Sequence, residues 1–279
     1  MINLNHLNYC YRSGVNVLHD ITAEIEPGIH LLMGENGAGK TTLLHIMAGL
    51  RYPRTATECT IDDVSTSLRL PSVLSKVFLL TDDMVFPYPT IAEMERYHAP
   101  FYPNFDAALL AENLSEFGIN PRDSINNFSL GTRKKAYLAY ALALRTDILL
   151  LDEPANGLDI DSKTVLLRML SRNITDNQTV IISTHTIWDF QNLFDGVLVL
   201  SQGRLVLAEK VWTIVKSLAF VNSLEPISNA LYLTQNMGRF QAIVPNDGTL
   251  DTAIDYVLLY TALHSPQQSI ITQTVKNAR

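Results

Sequence analysis

Apolar and polar residues alternate along residues 2–9 and again from Ile21 to Ile25, the two-residue period of strands with one buried face. Pro27-Gly28 turns the chain into an apolar strand, Ile29-His30-Leu31-Leu32-Met33, and a helix is expected from Thr42 to Ala48. Thr60-Ile61-Asp62 and Lys76 to Leu80 read as two further short strands. From about 82 to 146 the pattern becomes helical and is punctuated by Pro87, Pro89, Pro100 and Pro103. Within it, Asp106 to Phe117 is amphipathic and Ser129 to Leu144 is a longer helix. Beyond 147, strands and helices alternate: Asp147–Asp152, Asp161–Ile174, Thr179–Ser183, Ile187–Leu193, Gly196–Leu200. Such alternation predicts a parallel sheet with helices on both faces. Gln202-Gly203 turns a hairpin into Leu205–Ala208. From 210 to 279 the pattern loosens to a helix, one strand (Phe240 to Val244), a turn at Asn246-Asp247-Gly248 and a helix near Leu250–Leu263.

The expected class is α/β, a mixed, largely parallel sheet flanked by helices. It carries an N-terminal antiparallel β part, a helical part at about 82–146, and a small α+β extension over 211–279. With 279 residues, 47% of them hydrophobic, the chain can bury a full core. A formal net charge of −7 argues against a nucleic-acid sleeve or a polybasic membrane anchor. The two cysteines, Cys10 and Cys59, have no metal-ligand spacing and fit a reducing compartment. The start lacks the basic region and apolar run of a secretion signal. No apolar stretch approaches the ~20 residues of a membrane span, so any membrane role is expected to come through a partner.

One segment carries specific chemistry. Gly34-Glu35-Asn36-Gly37-Ala38-Gly39-Lys40-Thr41-Thr42 fits the phosphate-loop pattern G-x-x-x-x-G-K-[ST] between a strand and a helix. Its glycines let successive N–H groups converge on one anion, and the following helix adds its positive N-terminal end. Gly34, Asn36, Gly37, Ala38, Gly39, Lys40, Thr41 and Thr42 are therefore the expected nucleotide contacts. Lys40 supplies charge to the β- and γ-phosphates and Thr41 a hydroxyl to Mg²⁺. Ile148–Glu153 is an apolar strand ending in two carboxylates. Neighbouring residues of a strand point to opposite faces, so one of Asp152 and Glu153 can hold the Mg²⁺ shell while the other faces the attacking water. Thr184-His185 ends another buried strand, and parallel strands end on one edge, so His185 is expected in the same crevice. Asp159 is open to two readings, a helix cap or a functional carboxylate.

In this order, with Ser129-Leu130-Gly131-Thr132 between them and Pro154–Asp159 after the strand, these motifs resemble those of the ATP-binding subunit of an ABC transporter. The likeness covers about residues 1–210 and implies a P-loop NTPase core, with the ABC ATPase domain at 1–210 and the extension at 211–279. It implies that Tyr11 stacks on adenine (Tyr9 being the alternative), that Glu153 is the general base and that His185 senses the γ-phosphate. Asp159 would join a contact between two subunits. Where the family reads Leu-Ser-Gly-Gly-Gln, this chain has Phe128-Ser129-Leu130-Gly131-Thr132. Ser129 and Gly131 keep the hydroxyl and N–H that cap a γ-phosphate, and Thr132 follows them.

The resemblance implies that two copies pair head to tail around two ATP, the Ser129 tip of one facing Lys40 of the other. It also implies an integral membrane permease as partner, so that the subunit sits in the cytoplasm on the inner face of the membrane. The helical part would dock near Asp82–Tyr88, although buried packing accounts equally well for Phe86 and Tyr88. The segment Arg239–Gly248 is similar to tails of bacterial exporter-type subunits, including those handling peptide antibiotics, which favours export. The alternatives are a soluble ABC ATPase of the iron–sulfur assembly type and a nucleotide-dependent regulator. Thr81 stands where the family carries a glutamine that touches Mg²⁺, and its hydroxyl reaches less far. Thr81→Ala is therefore expected to change turnover, and unaltered ATPase and transport in that variant would remove the role.

Overall fold

In the computed structural model, Pro27, which has no backbone N–H, separates an N-terminal ribbon from the central sheet, and Gly28 begins that sheet by donating its N–H to the Gln178 carbonyl. The structure describes residues 1–12, 14–55, 58–185, 190 and 192–277. The ribbon consists of β1 (Ile2–Cys10) and β2 (Asn16–Ile25), paired antiparallel with Ile2 opposite Ile25. Past the turn come β3 (Gly28–Gly34) and α1 (Lys40–Met47). The short strands β4 (Cys59–Ile61) and β5 (Val64–Ser65) then extend the ribbon into a sheet of order β2-β1-β4-β5.

A short helix, α2 (Pro71–Leu74), leads to β6 (Val77–Leu80) and the helical part: α3 (Ile91–Tyr97), α4 (Ala107–Glu116) and α5 (Leu130–Ala143). Each of these three is started by a side chain that accepts an orphan N–H: Thr90 from Glu93, Asp106 from Leu109, Ser129 from Thr132. Aromatic packing fastens the helical part to β6. Phe86 stacks on Phe78 and meets Tyr137 edge-on at 4.8 Å, while His98 Nδ1 lies 2.8 Å from the buried Tyr140 hydroxyl. Burial pushes the His98 imidazole below its usual pKa, as suits a neutral ring in this cluster. Phe86 is thus a packing residue, and Tyr88 stacks on Tyr97.

The chain returns through β7 (Ile148–Asp152), α6 (Ile160–Asn173), β8 (Thr179–Ser183), β9 (Gly196–Ser201) and β10 (Arg204–Lys210). The central sheet has the order β10-β9-β3-β8-β7-β6, all parallel except the edge pair β10–β9. All residues of β7 and β8 are buried, because packed layers cover both faces; this is why those strands read as continuous apolar runs. The helix expected at Ile187–Leu193 lies mostly outside the described residues.

The C-terminal segment departs from its one-strand expectation. After α7 (Val211–Ser217) it forms a three-stranded antiparallel sheet, β11 (Leu218–Ser223), β12 (Tyr232–Asn236) and β13 (Arg239–Pro245), in the order β11-β13-β12. β11 follows a helix with no turn signal, and β12 is mostly exposed, so neither shows clear apolar periodicity. Two helices close the chain, α8 (Tyr256–Leu263) and α9 (Gln268–Asn277), the latter unexpected. The expected helix start at Leu250 is corrected to Tyr256. Asn246 accepts from the Gly248 and Leu250 N–H groups and holds that stretch in a turn, and Asp255 caps the helix instead. Ile214, Leu218, Ile243, Tyr256 and Leu259 join the apolar cluster that also holds Phe194, Val197 and Val199. No helix among the described residues is long and apolar enough to cross a membrane.

The central strands carry the stability. Leu150 is fully buried in β7, beside Leu79 and Ile181 of its neighbours. Leu150→Ala is expected to cost about 2–5 kcal/mol through lost burial and a residual cavity. Urea unfolding should read this as a lowered midpoint at an unchanged slope.

Candidate nucleotide-binding site

Parallel strands place their C-terminal ends on one edge, and here that edge collects the residues after β3, β6, β7 and β8. Gly34 ends β3 where a Cβ would stand 2.5 Å from the Leu200 carbonyl oxygen. Gly39, at φ 105°, is both left-handed and pressed on Leu18, so no other residue fits there without strain. It leads into α1, whose first turn no side chain caps, so that turn's N–H groups are not taken by a capping residue. Lys40 Nζ donates to the carbonyls of Gly34 (2.6 Å) and Glu35 (3.1 Å). Burial pushes the Lys40 pKa down, and the nearby Glu153, Asp152 and Glu35 charges oppose that shift.

Asp152 and Glu153 separate as the strand geometry requires. Asp152 is buried; it accepts from Thr41 Oγ1 on one oxygen (2.6 Å) and from Ser183 Oγ on the other. Glu153 leaves the strand with φ 50°, a left-handed conformation that costs a non-glycine residue about 1–3 kcal/mol. Its carboxylate lies 2.9 Å from His185 Nδ1 and accepts a long bond from the His185 backbone N–H. Lys40, Thr41, Asp152, Glu153 and His185 therefore share one cluster. The Tyr11 hydroxyl is 3.0 Å from Thr42 Oγ1, and the Arg51 guanidinium sits 4.8 Å over its ring, so one face of Tyr11 is covered.

Other expected residues are not hydrogen-bonded into this cluster among the described residues. Thr81, the residue after β6 and so level with Asp152, donates its hydroxyl to Asp83 on its own loop (3.0 Å), and among the described residues no hydrogen bond links it to Thr41 or Asp152. Ser129 accepts from the Thr132 N–H (3.1 Å), and the two hydroxyls are 2.8 Å apart. Gly131 lies against the loop after β7; a Cβ on it would be 3.3 Å from the Gly157 carbonyl oxygen. No hydrogen bond or ion pair within the chain, among the described residues, joins Ser129, Gly131 or Thr132 to the phosphate loop. Asp159 caps α6 through the Ser162 N–H (2.7 Å), which is the cap reading of that residue.

Two sets of residues went unnoticed in the sequence. Lys134 of α5 donates to Asp82 and to the carbonyls of Glu153 and Asn156. Burial works against the charge on Asp82, but hydrogen bonds from Lys134 and Asn156 outweigh it and hold the carboxyl below its usual range. Towards the other end of the chain, His264, the residue after α8, comes within 4.0 Å of the Glu35 carboxylate, which also accepts from the Gln202 N–H. Neither set has a sequence signature, since the partners are far apart along the chain.

A phosphate loop beside a strand-end carboxylate pair, on one edge of a parallel sheet, defines a nucleoside triphosphate hydrolase. The model of the ABC transporter family matches residues 18–156. An ABC transporter ATP-binding protein of Clostridium acetobutylicum is 31% identical over 221 residues, 74% of this chain and 77% of that protein. The ABC transporter ATP-binding protein NatA of Bacillus subtilis is 31% identical over 202 residues, 69% and 81% of the two chains. EcfA2 of Streptococcus sanguinis, an energy-coupling factor transporter ATP-binding protein, is 28% identical over 242 residues, 80% and 86%. The chain belongs to the ABC transporter family and is an ATP hydrolase of that type.

Solved structures agree on the fold. An ATP-binding subunit of an ABC transporter superposes with TM-score 0.68 at 22% identity, over 77% of this chain and 91% of that one. A cobalt transport ATP-binding protein gives 0.66 at 21% over 97% and 99%, so its fold includes a counterpart to most of the C-terminal segment. A dimeric ATP-binding cassette bound to ADP and Pi gives 0.63 at 22% over 75% and 98%.

Proposed function

We propose that this chain is the ATP-hydrolysing subunit of a membrane transporter and works as a head-to-tail dimer around two ATP. The observation that carries the reading is the joint placement of Lys40, the Thr41–Asp152 pair and the Glu153–His185 pair on one sheet edge. Thr41 Oγ1 and Asp152 Oδ2 are two hard oxygen donors side by side, a set that fits Mg²⁺, which takes few protein ligands and completes its shell with phosphate and water. Bound there, the ion neutralises charge on the β- and γ-phosphates.

In this reading the phosphate loop, Gly34 through Thr42, wraps the phosphates with its backbone N–H groups. Lys40 exchanges the Gly34 and Glu35 carbonyls for phosphate oxygens. Glu153 orients the attacking water and accepts its proton, while His185 holds the Glu153 carboxylate and donates to the γ-phosphate. Tyr11, which packs at right angles to Tyr9 and under Arg51, is the aromatic assigned to the adenine. Thr81 donates its hydroxyl proton to Asp83 and keeps its oxygen lone pairs for the metal shell. Ser129, Gly131 and Thr132, assigned to cap the γ-phosphate, have no hydrogen bond or ion pair to the chain's own phosphate loop among the described residues, which supports a twin copy as their target. The dimeric cassette bound to ADP and Pi has the same fold and supports this pairing. ATP would then close the dimer and hydrolysis would reopen it.

We take residues 1–210 as the ATPase domain, with its helical part at 82–146, and 211–279 as an appendage. The contact of His264 with Glu35 favours a tail that steadies the phosphate loop. Relatives named for transport support a permease partner and a place on the inner face of the membrane. Export, with a peptide or antibiotic as cargo, is the reading carried by the Arg239–Gly248 likeness alone.

Two outcomes test this reading. Glu153→Gln is expected to bind ATP, accumulate as a stable dimer in size-exclusion chromatography and lose hydrolysis, while Lys40→Ala should lose nucleotide affinity itself. Wild-type turnover in Glu153→Gln would overturn the base. Purification from membranes should bring down a polytopic protein; if a soluble assembly partner comes instead, the non-transport alternative holds.

A further inference from the structure

We infer that Lys134 is a positioning residue for ATP hydrolysis: from α5 it holds the backbone of Glu153 and the Asp82 loop in one closed ring of hydrogen bonds. An ammonium has three protons and no acceptor. Lys134 directs them to Asp82 Oδ1, to the Glu153 carbonyl (2.6 Å) and to the Asn156 carbonyl (2.9 Å). Asn156 Nδ2 closes the ring on the other Asp82 oxygen at 2.8 Å. The Lys134 side chain is only 11% exposed, so the ring is sheltered from competing water at its centre.

The ring meets Glu153 at its strained point. With φ 50°, the peptide after Glu153 is turned out of the strand direction, and this turn sets where the side chain points. Three bonds hold it. The Glu153 N–H donates to the Ser183 carbonyl (2.9 Å), and the Glu153 carbonyl accepts from the Asn156 N–H (3.2 Å) and, at shorter range, from Lys134 (2.6 Å). Without Lys134 the shortest of the three is gone, the carbonyl keeps only the longer turn bond, and the carboxylate facing His185 can drift. A group that must meet a water within a few tenths of an ångström loses about 10²-fold in rate for a displacement of ~1 Å. Because Lys134 stands on the helical part and Asp82 on the loop after β6, the same ring ties both to the nucleotide edge.

The inference rests on the reading of Glu153 as the base, and the test separates the two. Steady-state ATPase is measured on the full chain for Lys134→Met, Lys134→Arg, Asp82→Asn and Glu153→Gln. Lys134→Met is expected to lower kcat at least about tenfold with KM for ATP within about threefold, because the phosphate contacts are untouched. Lys134→Arg keeps a charge that can still reach Asp82 and one carbonyl, and should recover most of the rate, which a loss of packing alone would not do. Asp82→Asn, on an exposed loop, should give a smaller kcat loss in a folded protein. Unmodified kcat in Asp82→Asn together with Lys134→Met, or in Asp82→Asn alone should Lys134→Met not fold, overturns the positioning role while an inactive Glu153→Gln leaves the base in place. An active Glu153→Gln overturns both.

Discussion

Everything at the nucleotide edge depends on the buried carboxylate of Asp152. One oxygen takes the hydroxyl of Thr41 from the first turn of α1, and the other takes that of Ser183 from β8. A buried charge is costly unless it is fully hydrogen-bonded, so Asp152 draws the phosphate-loop helix and two parallel strands to one point. Register does the rest. Asp152 pairs with Ser183 and Gly34 with Leu200, so the strand ends come level on one edge. Glu153, the next residue, then has to leave the sheet, and its left-handed turn swings the carboxylate to His185.

Around this centre lie two looser attachments. The helical part is anchored below by aromatic packing of Phe78, Phe86 and Tyr140, and above by the Lys134 ring with Asp82 and Asn156. The C-terminal segment shares the apolar core and puts His264 beside Glu35 of the phosphate loop. Both attachments reach the phosphate-loop edge from outside the central sheet.

Much of this was legible in residue order. Strands buried on both faces, such as Ile148–Asp152 and Thr179–Ser183, appear as apolar runs, and two helices begin at Asp106 and Ser129 as expected, while Asp159, open between a cap and a functional carboxylate in the sequence, caps a third. The phosphate loop is contiguous, so its glycines, lysine and threonines lie in one reading frame. Illegible were β11 and β12, one continuing directly from a helix and the other mostly exposed, and α9 at the end of the chain. Their formation rests on pairing with β13 and on packing against distant residues, which no local period encodes.

Residue order by itself placed the motifs: a glycine-rich turn between strand and helix, two acids at a strand end, and a histidine at another. Those placements were legible because backbone conformation and the apolar runs that end at these residues are local properties. Tertiary structure alone decided which oxygens meet. It put Thr41 on Asp152, gave Thr81 to Asp83, covered one face of Tyr11 with Arg51, and closed the ring at Lys134. Such pairings depend on how far apart segments land once the sheet is assembled, a distance that chain spacing does not carry.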